Sequence, residues 1–373
     1  MKTCHAPAAA ALLFTMIAIG LILCPDAHSQ QSYSIIDLGA MTNVNDMNNL
    51  GEVIGTANVG TSSGSYPFIF SGGVTYPLPM LPNYIGMSGY AINDSGQIVV
   101  LGNNSSGQYP LFYSIEQYHL MFNTGVSYIA SVDLNNEGQA LWYADTITDQ
   151  QSYLYDFSSK TTTPINPDML AINDSGQMAG YTGGAGGHAV IMNPGGQLID
   201  LGTLGGSYSI AIGIGNSGAV VGSSETAEGS HHAFLWTPSE GMKDLNNNSM
   251  SASSQADAVN VRQEVVGGYY AISTQDNRAF IYANNTMKDL TNMIPTGLGW
   301  VLGSAVAIND VGQIAGMGTK DGTMHSFLLN PQYGDFSPPD CDVDGSDLAV
   351  LISNTSLMDL ATLAQNFGRG DRR

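Results

Sequence analysis

The chain reads as an all-β protein, a seven-bladed β-propeller, and three observations predict it. A unit of about 40 residues recurs seven times, each copy joins turn chemistry to a short apolar strand, and only 11% of residues are charged. Gly 45 and Tyr 18 are high counts for 373 residues, a composition that builds turns and strands more readily than ion-paired helices.

Aligned on the turn within AINDSGQ, the same position falls at Gly51, Gly96, Gly138, Gly176, Gly218, Gln263 and Gly312, at spacings of 38 to 49 residues. Four residues earlier every copy has an apolar side chain: Met47, Ile92, Leu134, Ile172, Ile214, Val259 and Ile308. Next comes Asn48, Asn93, Asn135, Asn173, Asn260 or Asn309, with Gly215 departing. Then follows Asn49, Asp94, Asn136, Asp174, Asn216 or Asp310, with Val261 departing. Asn and Asp side chains accept from amides two residues on, and glycine takes the left-handed conformation that closes a hairpin. Each copy therefore holds a tight hairpin, and the carboxylates of Asp94, Asp174 and Asp310 are each expected to satisfy their own turn.

Past the anchor runs a strand with apolar Val53, Ile98, Ala140, Met178, Val220, Val265 or Ile314 at its second position. Its fourth position is Gly55, Gly180, Gly222, Gly267 or Gly316, with Val100 and Trp142 in the second and third copies. Glycine inside a strand marks the close approach of a backbone or ring, here expected from crowding near a propeller axis. A third strand reads HAFLW at 232–236 or RAFIY at 278–282, rich in aromatic and branched residues. A fourth ends in Asp-Leu, as at Asp200-Leu201, Asp244-Leu245 and Asp289-Leu290. Four strands per copy make one blade. The last copy stops after its third strand, at 325–329, whereas residues 33–39 read as an orphan fourth strand. Pairing the two closes the ring and leaves no open edge.

The ends differ from the repeats. Lys2 and His5 precede an apolar run over 8–23, and Ala27-His28-Ser29 supplies small residues before Gln30, so residues 1–29 read as a secretory signal peptide. No other stretch nears the length of a membrane span. The expected organisation is a signal peptide at 1–29, a seven-repeat propeller at 30–333, and a linker with a short helical tail at 334–373. Cys4 and Cys24 leave with the signal, so Cys341 has no internal partner. A formal net charge of −21 argues against nucleic acid as a partner.

The fullest copy, DLGTLGGSYSIAIGIGNSGAVVGSSETAEGSHHAFLW at 200–236, resembles the extracellular HAF-repeat proteins. Weaker copies extend the resemblance over 33–330; the first three lose the His of the tripeptide. The resemblance implies an extracellular location and leaves activity unassigned.

Catalytic constellations are hard to find. His188, His232 and His325 begin equivalent strands in different blades and do not converge on a metal. His231 and His232 point to opposite faces of one strand. The cluster 183–187 joins two strands with no lysine after it, so it is a hairpin loop and not a phosphate cradle. HExxH does not occur. The best candidate site is the set of loops leading from the fourth strand of one blade to the first of the next. These carry Tyr84, Tyr128, Tyr208 and Trp300, rings able to stack on sugar or clasp a peptide unless they pack between blades.

In the tail, DCDVDGSDLAVLI crowds Asp340, Asp342, Asp344 and Asp347 ahead of an apolar helix, and DLAVL at 347–351 is echoed by DLATL at 359–363. Such oxygen density suits calcium. Two loop-and-helix copies beginning DLAxL resemble a degenerate dockerin module, related to the EF-hand, which implies weak calcium binding and attachment to a scaffold protein. Neither loop register supplies a full ligand set: Phe336 takes the first position in one and Leu351 the last in the other. The expected function is a secreted, non-catalytic binding or surface-structural module for carbohydrate or another cell-surface polymer or protein. The alternative is an extracellular polysaccharide hydrolase or lyase with its site in the propeller loops.

Overall fold

The computed structural model describes residues 32–332, apart from 59–63, 115–116, 122–125, 146–149, 185 and 247–250. These residues form seven four-stranded antiparallel sheets, the blades of a seven-bladed propeller. One 3₁₀ turn, Leu290–Met293, is the sole helical element among them. Blades 1 to 7 take their innermost strands from Thr42–Met47, Gly86–Ile92, Tyr128–Leu134, Asp168–Ile172, Gly205–Ile214, Ser251–Val259 and Trp300–Ile308. Blade 7 is completed by the N-terminal strand Ser32–Ala40, which lies outside Thr323–Gln332. Residues 1–29, expected from sequence to be a signal peptide, Cys341 and the tail lie outside the described residues.

The core is divided among the seams between blades. Each buried apolar cluster draws on two adjacent sheets. Phe68, Phe234, Phe280 and Phe327, the aromatic residues of the third strand, are fully buried, each against the preceding blade. The closing strand is held from both sides. Tyr33 packs with Trp300 and Phe327, while Leu38 packs with Val44 of blade 1.

The His of the third strand has a clear structural role. His232 Nδ1 lies 2.8 Å from Asp244, His188 Nδ1 lies 3.0 Å from Asp200, and His325 Nδ1 lies 2.8 Å from Asp37 of the closing strand. Each pair staples the third strand to the fourth. Blade 6 substitutes Arg278, which lies 3.8 Å from Asp289. Blades 1 to 3 lack the base and the acid together: where blade 5 pairs Phe234 with Asp244, they pair Phe68 with Pro77, Leu111 with Leu120 and Leu154 with Thr163.

The strand glycines answer to a bulge and not to the axis. In blades 1, 4, 5, 6 and 7 the innermost strand bulges just past the residue opposite Gly55, Gly180, Gly222, Gly267 and Gly316. The bulge throws a carbonyl across the second strand. A Cβ on Gly222 would lie 2.0 Å from the Ile210 oxygen, and one on Gly267 2.0 Å from that of Gln255. The two departures follow the same geometry. Blade 2 moves its glycine to the bulged strand, where Gly89 faces Val100, and blade 3 moves its bulge to Ile129/Ser131, leaving room for Trp142.

Each anchor turn has its left-handed residue, from Gly51 at φ 75° to Gln263 at φ 59°. The Asn side chains do more than close their own turns. Asn93 Oδ1 accepts from Ser95 and Gln97 within the turn, while its Nδ2 donates to the Asn135 carbonyl of the next blade at 3.0 Å. Equivalent bonds run from Asn48 to Asn93, Asn135 to Asn173, Asn173 to Gly215, Asn260 to Asn309 and Asn309 back to Asn48.

The turn carboxylates correct the sequence expectation. Asp94, Asp174 and Asp310 accept the amides of Asn49, Asn136 and Val261, each in the preceding blade. Asn136, Asn216 and Asn49 do the same for Asp94, Asp174 and Asp310. Two sets of blade-to-blade hydrogen bonds thus form belts around one face of the ring. Both are interrupted at the same seam, between blades 5 and 6, where Gly215 and Val261 depart from the repeat.

Candidate functional site

The seven innermost strands enclose an axial channel of about 760 Å³. At the belted face it narrows to a polar pocket of about 170 Å³ lined by Asp46, Asp94, Asp133, Asp174 and Asp310. Asp46 adjoins the strand bulge of blade 1, and Asp133 lies on the innermost strand of blade 3 opposite Leu141. Each accepts the amide of its own successor and one from the next blade, Ile92 or Ile172. Burial, and then repulsion from Asp133, push Asp46 up to about 8 despite those amides. Burial likewise raises Asp133. Among the described residues, no group of three or more His, Cys, Asp or Glu is arranged to hold a metal ion.

At the opposite face the channel opens into a cleft of about 850 Å³ over blades 5, 6 and 7. Its walls combine Tyr208, His231 and Tyr270 with Gln255, Asp257, Asp276 and Asn277, and Met317 and Met324 close the far side. The backbone makes room for it: Gly268 and Gly303 line the cleft, and a Cβ on either would meet nothing closer than 3.5 Å. Tyr208 stands edge-on between Tyr181 and His231, with centroids 6.4 and 6.5 Å away. Tyr270 is 42% exposed. Burial pushes Asp257 up to about 6 even though Gln255 Nε2 donates to it at 2.8 Å. Hydrogen bonds from Arg278 and Thr274 hold Asp276 below the usual carboxylate range.

The four aromatic residues singled out by sequence meet different fates. Tyr208 walls the cleft. Trp300 is 8% exposed, edge-on to Phe327 and His325, with Lys320 Nζ 5.8 Å over its ring. Tyr84 packs on Gly102 and stands edge-on to Tyr109. Tyr128 is 55% exposed on blade 3, outside the cleft. His231, Gln255, Asp257, Tyr270, Asp276 and Asn277 were not foreseen. Their one sequence signal is the pair of departures at Gly215 and Val261, which mark the seam beneath them. Asp340, Asp342, Asp344 and Asp347 lie outside the described residues.

The architecture defines the class: a closed seven-bladed β-propeller with an open loop-face cleft. Among solved structures the chain is similar to the β-propeller domain of the Trilobed protease from Pyrococcus furiosus, with an open velcro topology. Identity is 10% over 82% of this chain and 99% of that one, with a TM-score of 0.55. It is also similar to the RRP9 WD40 repeats, at 12% identity over 81% and 99% of the two chains and a TM-score of 0.53. YCF48 bound to a D1 peptide aligns at 11% identity over 85% and 100%, with a TM-score of 0.52. At such identities the likeness shows the fold alone. No protein-family model and no curated protein matches the chain. No helix among the described residues is long and apolar enough to cross a membrane.

Proposed function

We propose that this protein is a secreted, non-catalytic binding module that recognises carbohydrate or another cell-surface polymer in the cleft over blades 5 to 7. The observation that supports it is the cleft wall, where the rings of Tyr208 and Tyr270 stand beside the amides of Gln255 and Asn277. Exposed rings offer a face to a sugar, and side-chain amides match its hydroxyl groups in both donor and acceptor roles. The fold itself is neutral on this point. One of its structural neighbours is a domain of a protease and another is bound to a peptide.

A hydrolase or lyase is the second reading, and one observation favours it. Asp257 and Asp276 line the same cleft with their pKa values pushed in opposite directions, the separation that an acid and base pair requires. Asp276 is already engaged by Arg278 Nε at 2.9 Å and by the Thr274 hydroxyl, which weakens its claim as a base. Incubation of the mature chain with a panel of polysaccharides separates the readings. Retention on a polymer without new reducing ends is expected, and catalytic release of reducing ends would replace binding with hydrolysis.

Secretion rests on the leader at 1–29 and on the HAF resemblance. The tail is proposed to bind calcium weakly through Asp340, Asp342, Asp344 and Asp347, and to dock on a scaffold protein through its DLAxL segments. Calorimetry with calcium on the full chain and on an Asp342→Ala, Asp344→Ala double variant tests the metal. Equal heats from the two proteins would remove it.

A further inference from the structure

We propose that the cleft selects polymers of free amino sugars, with a protonated amine of the ligand paired to Asp257. This rests on the carbohydrate reading above and narrows it to one class of polymer.

Asp257 lines the cleft and the axial channel alike, so its carboxyl stands where one opens into the other. It is the extra residue of the bulge between Ala256 and Ala258, a feature that re-aims a side chain out of the regular pleat. Asp46 and Asp133, on the innermost strands of other blades, have both oxygens occupied by amides. Asp257 does not. Gln255 donates to Oδ1, and no donor among the described residues reaches Oδ2. A half-buried carboxylate with an open oxygen is poorly compensated, and a cationic donor from a ligand supplies both missing parts, charge and proton.

The surroundings favour the same chemistry. Among the described residues no Lys or Arg lines the cleft, and Asp276 adds a second carboxylate to its rim. With a formal net charge of −21, the protein draws cations toward this mouth and repels uronate or sulfated polymers. Tyr208 and Tyr270 offer ring faces to pyranose rings and to an ammonium group. An acetylated amine keeps the stacking and loses the charge. The free amine is therefore the group that Asp257 distinguishes.

The test is calorimetric titration of the full chain, near neutral pH, with hexamers of glucosamine, N-acetylglucosamine and glucose. The glucosamine hexamer should bind about tenfold more tightly than its acetylated counterpart, a difference of about 1.4 kcal/mol. Asp257→Asn should erase that preference, with a thermal melt confirming the fold. Tyr270→Ala, at an exposed position, should weaken all hexamers that bind. Equal affinity for the free and acetylated hexamers, or a preference that survives Asp257→Asn, overturns the amine assignment and leaves the carbohydrate reading standing. If neither these hexamers nor the polysaccharide panel binds, both fall.

Discussion

Replacing Asn93 by alanine removes one complete link of the belt that runs from Asn48 to Asn309, and the structure sets the size of the effect. The side chain is 3% exposed and makes four hydrogen bonds: two accepted from the amides of Ser95 and Gln97, and two donated to Gln97 Oε1 and the Asn135 carbonyl. At about 1 kcal/mol for each neutral bond, the loss is roughly 3 to 4 kcal/mol once partial rehydration of the turn is allowed. A domain of this size has an unfolding entropy of about 0.6 kcal/mol per degree, so Tm should fall by about 5 °C. Asn93→Asp separates the two functions of the residue. It keeps both acceptor contacts within the turn but sets a carboxylate oxygen against the Asn135 carbonyl, so its loss should match or exceed that of alanine. Calorimetric melts of the two variants beside wild type are sufficient. A Tm within about 1 °C of wild type for Asn93→Ala would show that the apolar seams hold the ring unaided and that the belt is incidental.

Three further outcomes follow from the same geometry. Val261→Asn should reconnect the belt of alternating Asp and Asn by accepting the Asn216 amide, raising stability by about 1 kcal/mol, and an unchanged or lower Tm would refute it. Gly222→Ala should cost about 3 kcal/mol, because its Cβ would lie 2.0 Å from the Ile210 oxygen; a melt indistinguishable from wild type would mean the bulge yields freely. Burial alone would raise Asp37, but hydrogen bonds from His325, Lys320 and the Gly39 amide outweigh it and hold the group below its ordinary 3.8. Its pairing therefore stabilises fully above that value and is lost as pH falls through the lower folded pKa. Asp37→Asn should remove that acid-limb loss while lowering neutral-pH stability by up to about 1 kcal/mol, and an identical pH profile of Tm would contradict the assignment.

Much of this fold is legible in the chain because the turn repeats where the geometry repeats. Seven apolar positions from Met47 to Ile308 and the left-handed anchors mark the hairpins, and the orphan strand ahead of the first copy announces its partner at the end. What local pattern cannot reveal is which neighbour a polar side chain reaches. Asp94 follows an Asn that closes its own turn, yet its carboxylate bonds the amide of Asn49, 45 residues away. That bond depends on how closely seven turns crowd the axis, a property of the closed ring and not of any one copy. The cleft was illegible for a related reason. Tyr270, Asp257 and His231 occupy positions that vary from blade to blade, and the packing of blade 5 on blade 6 brings them to one opening. The His and Asp staple lies between these extremes. Twelve residues separate His188 from Asp200 and His232 from Asp244, and blades without the base also lack the acid.

The closing strand Ser32–Ala40 has a consequence for how the molecule is made. Its staple joins Asp37 to His325 across 288 residues, so the N-terminal strand of the ring is the last to find its partner. During that interval the edge of Thr323–Gln332 presents unpaired amides and carbonyls, a template for any matching strand. The best match in solution is residues 32–40 of another copy. At high concentration, late closure therefore competes with reciprocal exchange of that strand, which yields a swapped dimer with every blade intact. Slow, dilute refolding favours the monomer, and the same chain crowded at synthesis is biased toward the exchanged pair.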